Sequence, residues 1–185
     1  MTLKVEKLSA CDVFKSFDQW DNLLKISIPE INKQDPTVRG CKEKNIVKDC
    51  LYDKVAANCN HIQVVKKGTN FSELNKILRK DLSDYTGKDY IELRNFIMYG
   101  KDGYMGWHTN RNCVGMRYYL TWAEEEGKSF FKYFDGDKIV SIPDVKGWQV
   151  NKFLVTGKHG PNDYNYFLHS VESNTNRLSI GYKVK

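Results

Sequence analysis

The stretch DYIELRNFIMYGKDGYMGWHTNRNCVGMRYYLTWA, residues 89–123, changes the texture of the chain. Short runs rich in Tyr, Ile, Trp and Met alternate with gaps built from Gly, Lys, Asp and Asn. Aromatic and branched side chains suit a pleated, half-buried surface, and Gly, Asn and Asp supply the turns between strands. The same texture continues through SFFKYFD, DKIVSIP, GWQVNKFLVTG, DYNYFLHS and NRLSIGYKV. Eight short strands with no helix between them predict a double-sheet jelly roll or barrel rather than a parallel sheet. Phe134-Asp135-Gly136-Asp137 predicts a hairpin, with Asp-Gly as its two-residue turn. Inside the first run, His108 stands two positions before Asn110.

Before residue 89 the pattern is helical. Asp12 is placed to cap a helix through DVFKSFDQWDNLLKI, whose Val13, Phe14, Phe17, Trp20, Leu23 and Leu24 form one apolar stripe. Pro29 and Pro36 break the next stretch. NIVKDCLYDKVAANC reads as a weaker helix and HIQVV as a strand. In NFSELNKILRKDL, Asn70 with Glu73 makes a capping-box pattern, and Phe71, Leu74, Ile77 and Leu78 share a face. The fold class is therefore mainly β with α+β character: a double-stranded β-helix (jelly-roll, cupin-like) core of about eight strands. The whole chain, 1–185, reads as one domain, with a helical support region over 1–88 and the jelly-roll core over 89–185.

At 185 residues, 41% of them apolar and 13% aromatic, the chain has enough material for one sizeable core. The net charge of +6 comes from scattered lysines, never a basic run. Scattered charge keeps a surface solvated and argues against a dedicated nucleic-acid binder. No apolar stretch approaches a membrane span and the start lacks a signal-peptide core, so a soluble cytoplasmic protein is expected. Oligomeric state is not legible. The five cysteines lack the close C-x2-4-C pairs of structural zinc sites and read as reduced thiols.

Two of the four histidines, His108 in WHTN and His169 in FLHS, stand at strand ends, and Arg177 comes after them in the last strand. That pattern resembles the iron(II)/2-oxoglutarate-dependent oxygenase superfamily, particularly its prolyl-hydroxylase-like branch, with the usual H-x-D replaced by H-x-N. RLS at 177–179 is similar to that family's Arg-x-Ser, IMYGKDGYMGWHTN to its strand leading into the first histidine, and MRYYLTW to its YYLN strand. The resemblance covers residues 89–185.

The resemblance implies a dioxygenase using Fe(II), 2-oxoglutarate and O2, with ascorbate as an optional reductant. His108, Asn110 and His169 are the implied metal and catalytic residues. Arg177 would form a forked pair with the distal carboxylate of 2-oxoglutarate, as a planar guanidinium suits. Tyr119 and Ser179 would sit with it at the cosubstrate, and Tyr99 near its metal-bound end. The implied reaction is hydroxylation of a peptidyl proline, a nucleobase or a small molecule.

Asn110 departs from the family pattern, since an amide oxygen ligates a hard cation without contributing charge. Three outcomes stay open: Asn110 coordinates and turnover survives, it yields its place to water or another anion as in related halogenases, or the site is silent. In the last case the chain is a jelly-roll binding module, a pseudoenzyme with weak or no iron binding. Glu172 and Asp163 are candidates for a replacement third ligand. His159 is a rival for the second histidine, and His61 reads as structural. Trp107, Trp122 and Trp148 are expected to pack as aromatics. Substrate-determining loops are expected over 100–116 and 156–165.

Overall fold

The order of elements is β1 (Glu6–Ser9), α1 (Ala10–Val13), α2 (Phe17–Ile31), β2 (Thr37–Arg39), β3 (Cys59–Gln63), α3 (Thr69–Thr86), β4 (Ile91–Tyr99) and β5 (Gly103–His108). After these come β6 (Gly115–Ala123), β7 (Ser129–Phe134), β8 (Ile139–Pro143), β9 (Gly147–Val155), β10 (His169–Ser173) and β11 (Arg177–Val184). The computed structural model describes residues 4–31, 36–39, 59–64, 69–110, 113–156 and 167–185. The segment NIVKDCLYDKVAANC lies outside these residues except for its last, which opens β3. His159, Asp163 and the expected loop over 156–165, apart from its first residue, also lie outside them.

The strands form one curled antiparallel sheet in the order β1-β9-β6-β11-β4-β3-β5-β10-β7-β8, with β2 on β3. Its two halves face each other across a jelly-roll interior. Strand β3 joins them: Ile62 and Gln63 pair with β4, whereas Cys59 and Asn60 pair with β5. The fold is the mainly β, jelly-roll architecture expected from the strand texture.

Seven of the eight expected strands appear where the alternation placed them. Of the eighth, DYNYFLHS, only 167–170 are among the described residues, and His169 opens its strand. Three strands, β1, β2 and β3, come from the first half of the chain, and β1 pairs along β9. The hairpin between β7 and β8 exists, but Phe134 pairs with Ile139, so its loop has four residues rather than two. Asp135 explains the longer loop, because its carboxylate accepts from the backbone N–H groups of Asp137 and Lys138, each at 2.9 Å.

The first helical stripe is split. A short helix ends at Val13, and α2 starts after Ser16, whose N–H and hydroxyl both donate to the Asp81 carboxylate on α3 at 2.8 and 2.7 Å. Asp12 lies within α1 and does not cap α2; the tertiary partner at Asp81 decides the boundary. Helix α2 then continues through Pro29 to Ile31. Helix α3 begins at Thr69, which puts Asn70 inside its first turn. Leu74, Leu78 and Leu82 recur every four residues along α3 and are fully buried.

Both long helices lie on the outer face of the β9-β6-β11-β4 half. Their core includes Trp20, Leu24, Leu78, Phe96, Leu120, Leu178 and Ile180. Trp20 meets Trp148 edge-on at 4.9 Å, and the Trp148 indole donates to Asp21 at 3.0 Å. A second core of Ile97, Tyr99, Tyr119, Phe131, Phe153, Phe167 and Val171 fills the space between the two halves. The first core carries the scaffold and the second surrounds the site.

Candidate functional site

The register of β10 on β5 sets His169 directly opposite His108. Opposed residues on antiparallel neighbours share a face, with Cβ atoms about 4.5–5.5 Å apart. The two imidazole centroids are accordingly 4.2 Å apart, tilted by 51°. The pair meets because of a strand register.

Each ring spends its Nδ1 on its own chain. His108 Nδ1 donates to the Gly106 carbonyl at 2.8 Å and His169 Nδ1 to the Phe167 carbonyl at 3.0 Å. A carbonyl only accepts, so both protons sit on Nδ1 and both Nε2 atoms keep a lone pair. The arrangement orients an imidazole for metal ligation and fixes its tautomer. Burial lowers the pKa of His108, and burial together with the neighbouring His108 lowers that of His169 well below the ordinary histidine value. Both rings are neutral near pH 7.

Asn110 lies beside them. Its Nδ2 is 3.5 Å from His169 Nε2, and the same carboxamide reaches the Tyr119 phenol. Behind His169 stand Phe131, Phe153 and Phe167, with ring centroids at 5.6, 5.8 and 5.2 Å. These aromatics back His169 with apolar surface.

Arg177 begins β11 and is fully buried. Its Nε donates to Asp144 Oδ2 at 2.7 Å, with both side chains sealed from solvent. Asp144 also receives the Ser129 hydroxyl at 2.7 Å and the Gln149 amide. Nη1 and Nη2 of Arg177 have no hydrogen-bond partner among the described residues. Buried charged donors left open are costly, and a carboxylate would satisfy both at once. Ser179 lies two residues along, buried on the same inner face.

Tyr99 and Tyr119 stand at opposite ends of this wall from those expected. The Tyr99 ring lies against Arg177, its centroid 5.4 Å from the guanidinium carbon, whereas Tyr119 has its phenol at Asn110. Desolvation raises the pKa of both phenols, which stay protonated. Glu172 is unavailable as a third metal ligand. It alternates to the other face of β10 from His169 and pairs with Lys132 at 2.8 Å. Trp122 and Trp148 pack on the helix side, 6.5 Å apart. His61 is buried, 5.8 Å from Tyr99.

Sequence reasoning missed Asp144, the partner that orients Arg177, because nothing in SIPDVKGW marks a buried aspartate. It also missed Arg117 and Asn151, although the alternation of MRYYLTWA does set Arg117 on the same side as Tyr119.

Among the described residues, no group of three His, Cys, Asp or Glu side chains is placed to hold a metal ion. The donors that converge are two imidazole nitrogens and one carboxamide. An iron(II) ion accepts such a set, but it receives no charge from it, so anionic co-ligands must supply the balance. The two open donors of Arg177 fit a dicarboxylate anchored at its far end.

No family model and no curated sequence matches the chain. Solved structures do. The chain matches a prolyl-4-hydroxylase of Pseudomonas putida at TM-score 0.55 and 14% identity, over 100% of this chain and 93% of that one. It matches a 2OG-Fe(II) oxygenase family oxidoreductase of Burkholderia pseudomallei at TM-score 0.57 and 12% identity, over 98% and 84%. A Trichoplax adhaerens prolyl hydroxylase, solved with a hypoxia inducible factor peptide fragment, matches at TM-score 0.56 and 11% identity, over 97% and 82%. At such identities the likeness is one of architecture: this chain has the jelly-roll fold on which 2OG-Fe(II) oxygenases are built.

Proposed function

We propose that the chain is a non-haem iron(II), 2-oxoglutarate-dependent dioxygenase that hydroxylates its substrate, with asparagine in the metal triad. One observation carries this reading. Two opposed histidines, their Nδ1 atoms tied to backbone carbonyls, turn Nε2 to the inner face of a jelly roll whose floor holds a buried arginine with two donors open among the described residues.

His108 and His169 would hold the iron through Nε2, and Asn110 would offer its amide oxygen with the carboxamide turned over. When bound, iron(II) would activate O2, with 2-oxoglutarate as the co-reductant: one oxygen atom would go into the substrate C–H bond as a hydroxyl and the other into succinate as carbon dioxide is lost. Arg177 grips the far carboxylate of the cosubstrate with Nη1 and Nη2, while Asp144 holds the guanidinium in place through Nε. Tyr99 lies along one side of that guanidinium. Phe131, Phe153 and Phe167 keep water from the back of His169. The hydroxylated group belongs to a peptidyl proline, a nucleobase or a small molecule.

A second reading rests on Asn110 donating towards His169 Nε2. That contact closes one ligand position without any metal, as a binding module would tolerate. The decisive experiment is an anaerobic titration with iron(II) and 2-oxoglutarate, followed by admission of O2 and a succinate assay. Succinate formation is expected. Saturated binding without succinate would favour the binding module. Asn110→Asp adds the missing charge and should tighten iron(II) binding by about tenfold or more, roughly 1.4 kcal/mol per decade. Unchanged affinity would place Asn110 outside the coordination sphere.

A further inference from the structure

The inner wall carries a second buried arginine that the proposed chemistry does not use. On β6, Met116, Tyr118, Leu120 and Trp122 face the helices, so Arg117, Tyr119, Thr121 and Ala123 face the interior. Arg117 is 1% exposed. One of its nitrogens, Nη2, donates to the Cys113 carbonyl, while Nε and Nη1 have no hydrogen-bond partner among the described residues. An isolated buried charge with open donors is expensive to keep and is normally matched by an anion.

The described residues do not supply that anion. Lys183 is the residue directly opposite Arg117 across the β6–β11 pair, and it is also buried. Arg94 falls where β4 bulges against β11, between the Asn95–Gly181 and Leu93–Tyr182 pairs. Bulges re-aim side chains, and the Arg94 charge acts on both Tyr119 and Arg117. The acid at this end of β4, Glu92, is already taken by Arg94 and by Lys183 at 3.9 Å. Arg117 has no carboxylate among the described residues. Next to Tyr119 in register, Asn151 is fully buried with both amide atoms unpartnered.

Arg177 cannot serve as the same site. It pairs with Ala123 and Arg117 with Lys183, six residues apart on β6, or about 20 Å at the usual strand rise. Arg117, by contrast, stands opposite Phe153 on β9, whose ring centroid lies 5.8 Å from that of His169. From these positions we propose that Arg117, with Lys183 and Asn151, forms a second anion subsite at the histidine end of the barrel. It takes a carboxylate or phosphate group of the substrate. The inference rests on the oxygenase reading for the word substrate, and on the geometry alone for the anion. An anionic substrate also supplies negative charge beside a metal site whose three protein donors are neutral.

The test uses the full chain, with inorganic phosphate and acetate as probes and Arg117→Met and Arg177→Met as variants. In anion-free buffer Arg117→Met should melt at a higher temperature than the parent, because it removes an unmatched buried charge and keeps an apolar stem. Phosphate or acetate should raise the melting temperature of the parent by binding the folded state, and Arg177→Met should retain that response. Arg117→Met should bind the preferred probe at least about tenfold more weakly. Which of the two probes binds tighter tells a phosphate from a carboxylate substrate.

In parallel, 2-oxoglutarate binding by calorimetry should be lost in Arg177→Met and kept in Arg117→Met. The subsite is overturned if Arg117→Met melts lower and binds the probes like the parent. It is equally overturned if 2-oxoglutarate binding depends on Arg117. Absence of 2-oxoglutarate binding in the parent, alongside Arg117-dependent anion binding, would sink the oxygenase reading and leave the subsite standing.

Discussion

The two faces of β6 and β11 are made by alternate residues of the same strands, yet they have almost nothing in common. Towards α2 and α3 they present Tyr118, Leu120, Trp122, Leu178, Ile180 and Tyr182, packed as an apolar core. Towards the interior they present Arg117, Tyr119, Thr121, Arg177, Ser179 and Lys183, all buried. An apolar face gains stability from leaving water, whereas buried charges and amides lose it unless matched. The scaffold half of the sheet thus offsets the cost of a polar wall in which Arg117 and Arg177 keep open donors among the described residues. Where the interior is apolar, as at Phe131, Phe153 and Phe167, it surrounds His169.

The sharpest test of that contrast is Arg177→Ala. It leaves Asp144 as a buried carboxylate without its cation, at a cost of about 3–5 kcal/mol in folding stability. Measured by denaturant unfolding, Arg177→Ala combined with Asp144→Asn should recover much of the loss. In the same protein, the weakening of 2-oxoglutarate binding should be about 2–5 kcal/mol. Affinity equal to the parent's would remove Arg177 from the cosubstrate site.

On the opposite face Leu120→Ala should cost about 2–5 kcal/mol by leaving a cavity against α2 and α3. The fraction that remains folded should bind 2-oxoglutarate as the parent does. A selective loss of binding would mean that the two faces are not independent.

Gly181→Ala probes the wall itself. A Cβ there would overlap Asn95 Oδ1 and lie 2.6 Å from Tyr119 Cε1, so Tyr119 must move. The expected cost is about 1–3 kcal/mol, with ligand binding reduced beyond what stability explains. Unaltered binding would show that Tyr119 takes no part.

The gentlest effect is on pH. Both site histidines have folded pKa values below the ordinary 6.5. The unfolded chain therefore takes up protons first as pH falls. The stability contributed by keeping these rings neutral is complete above about 6.5 and is lost progressively below it. His169→Phe, placed among three phenylalanines, should flatten that part of the metal-free protein's stability curve. A slope identical to the parent's would dismiss the histidines as its source.

Strands β4 to β9 and β11 were legible because each repeats a two-residue alternation between marked turns. In the first half HIQVV was legible too, its His61–Gln63 lying in β3, whereas β1 and β2 were not. The segment forming β1, EKLS, has only one apolar residue and becomes a strand because β9 offers an open edge beside it. The break at Phe14–Ser16 was hidden for the same reason, since its cause, Asp81, lies on another helix. Among the site residues, His108, His169 and Arg177 were visible as strand-end or strand-start polar residues. The roles of Tyr99 and Tyr119 were not, because a tyrosine on a strand looks the same at either end of a barrel.

By itself the sequence determined the jelly roll, since alternation of apolar and polar residues is a local property that dictates which side of a strand is buried. It also determined which residue types were available for chemistry. Only the tertiary structure decided that His169 stands opposite His108, that Asp144 grips Arg177, and that Arg117 is buried without a counter-ion among the described residues. Those are matters of register and of burial, and both depend on partners far away along the chain.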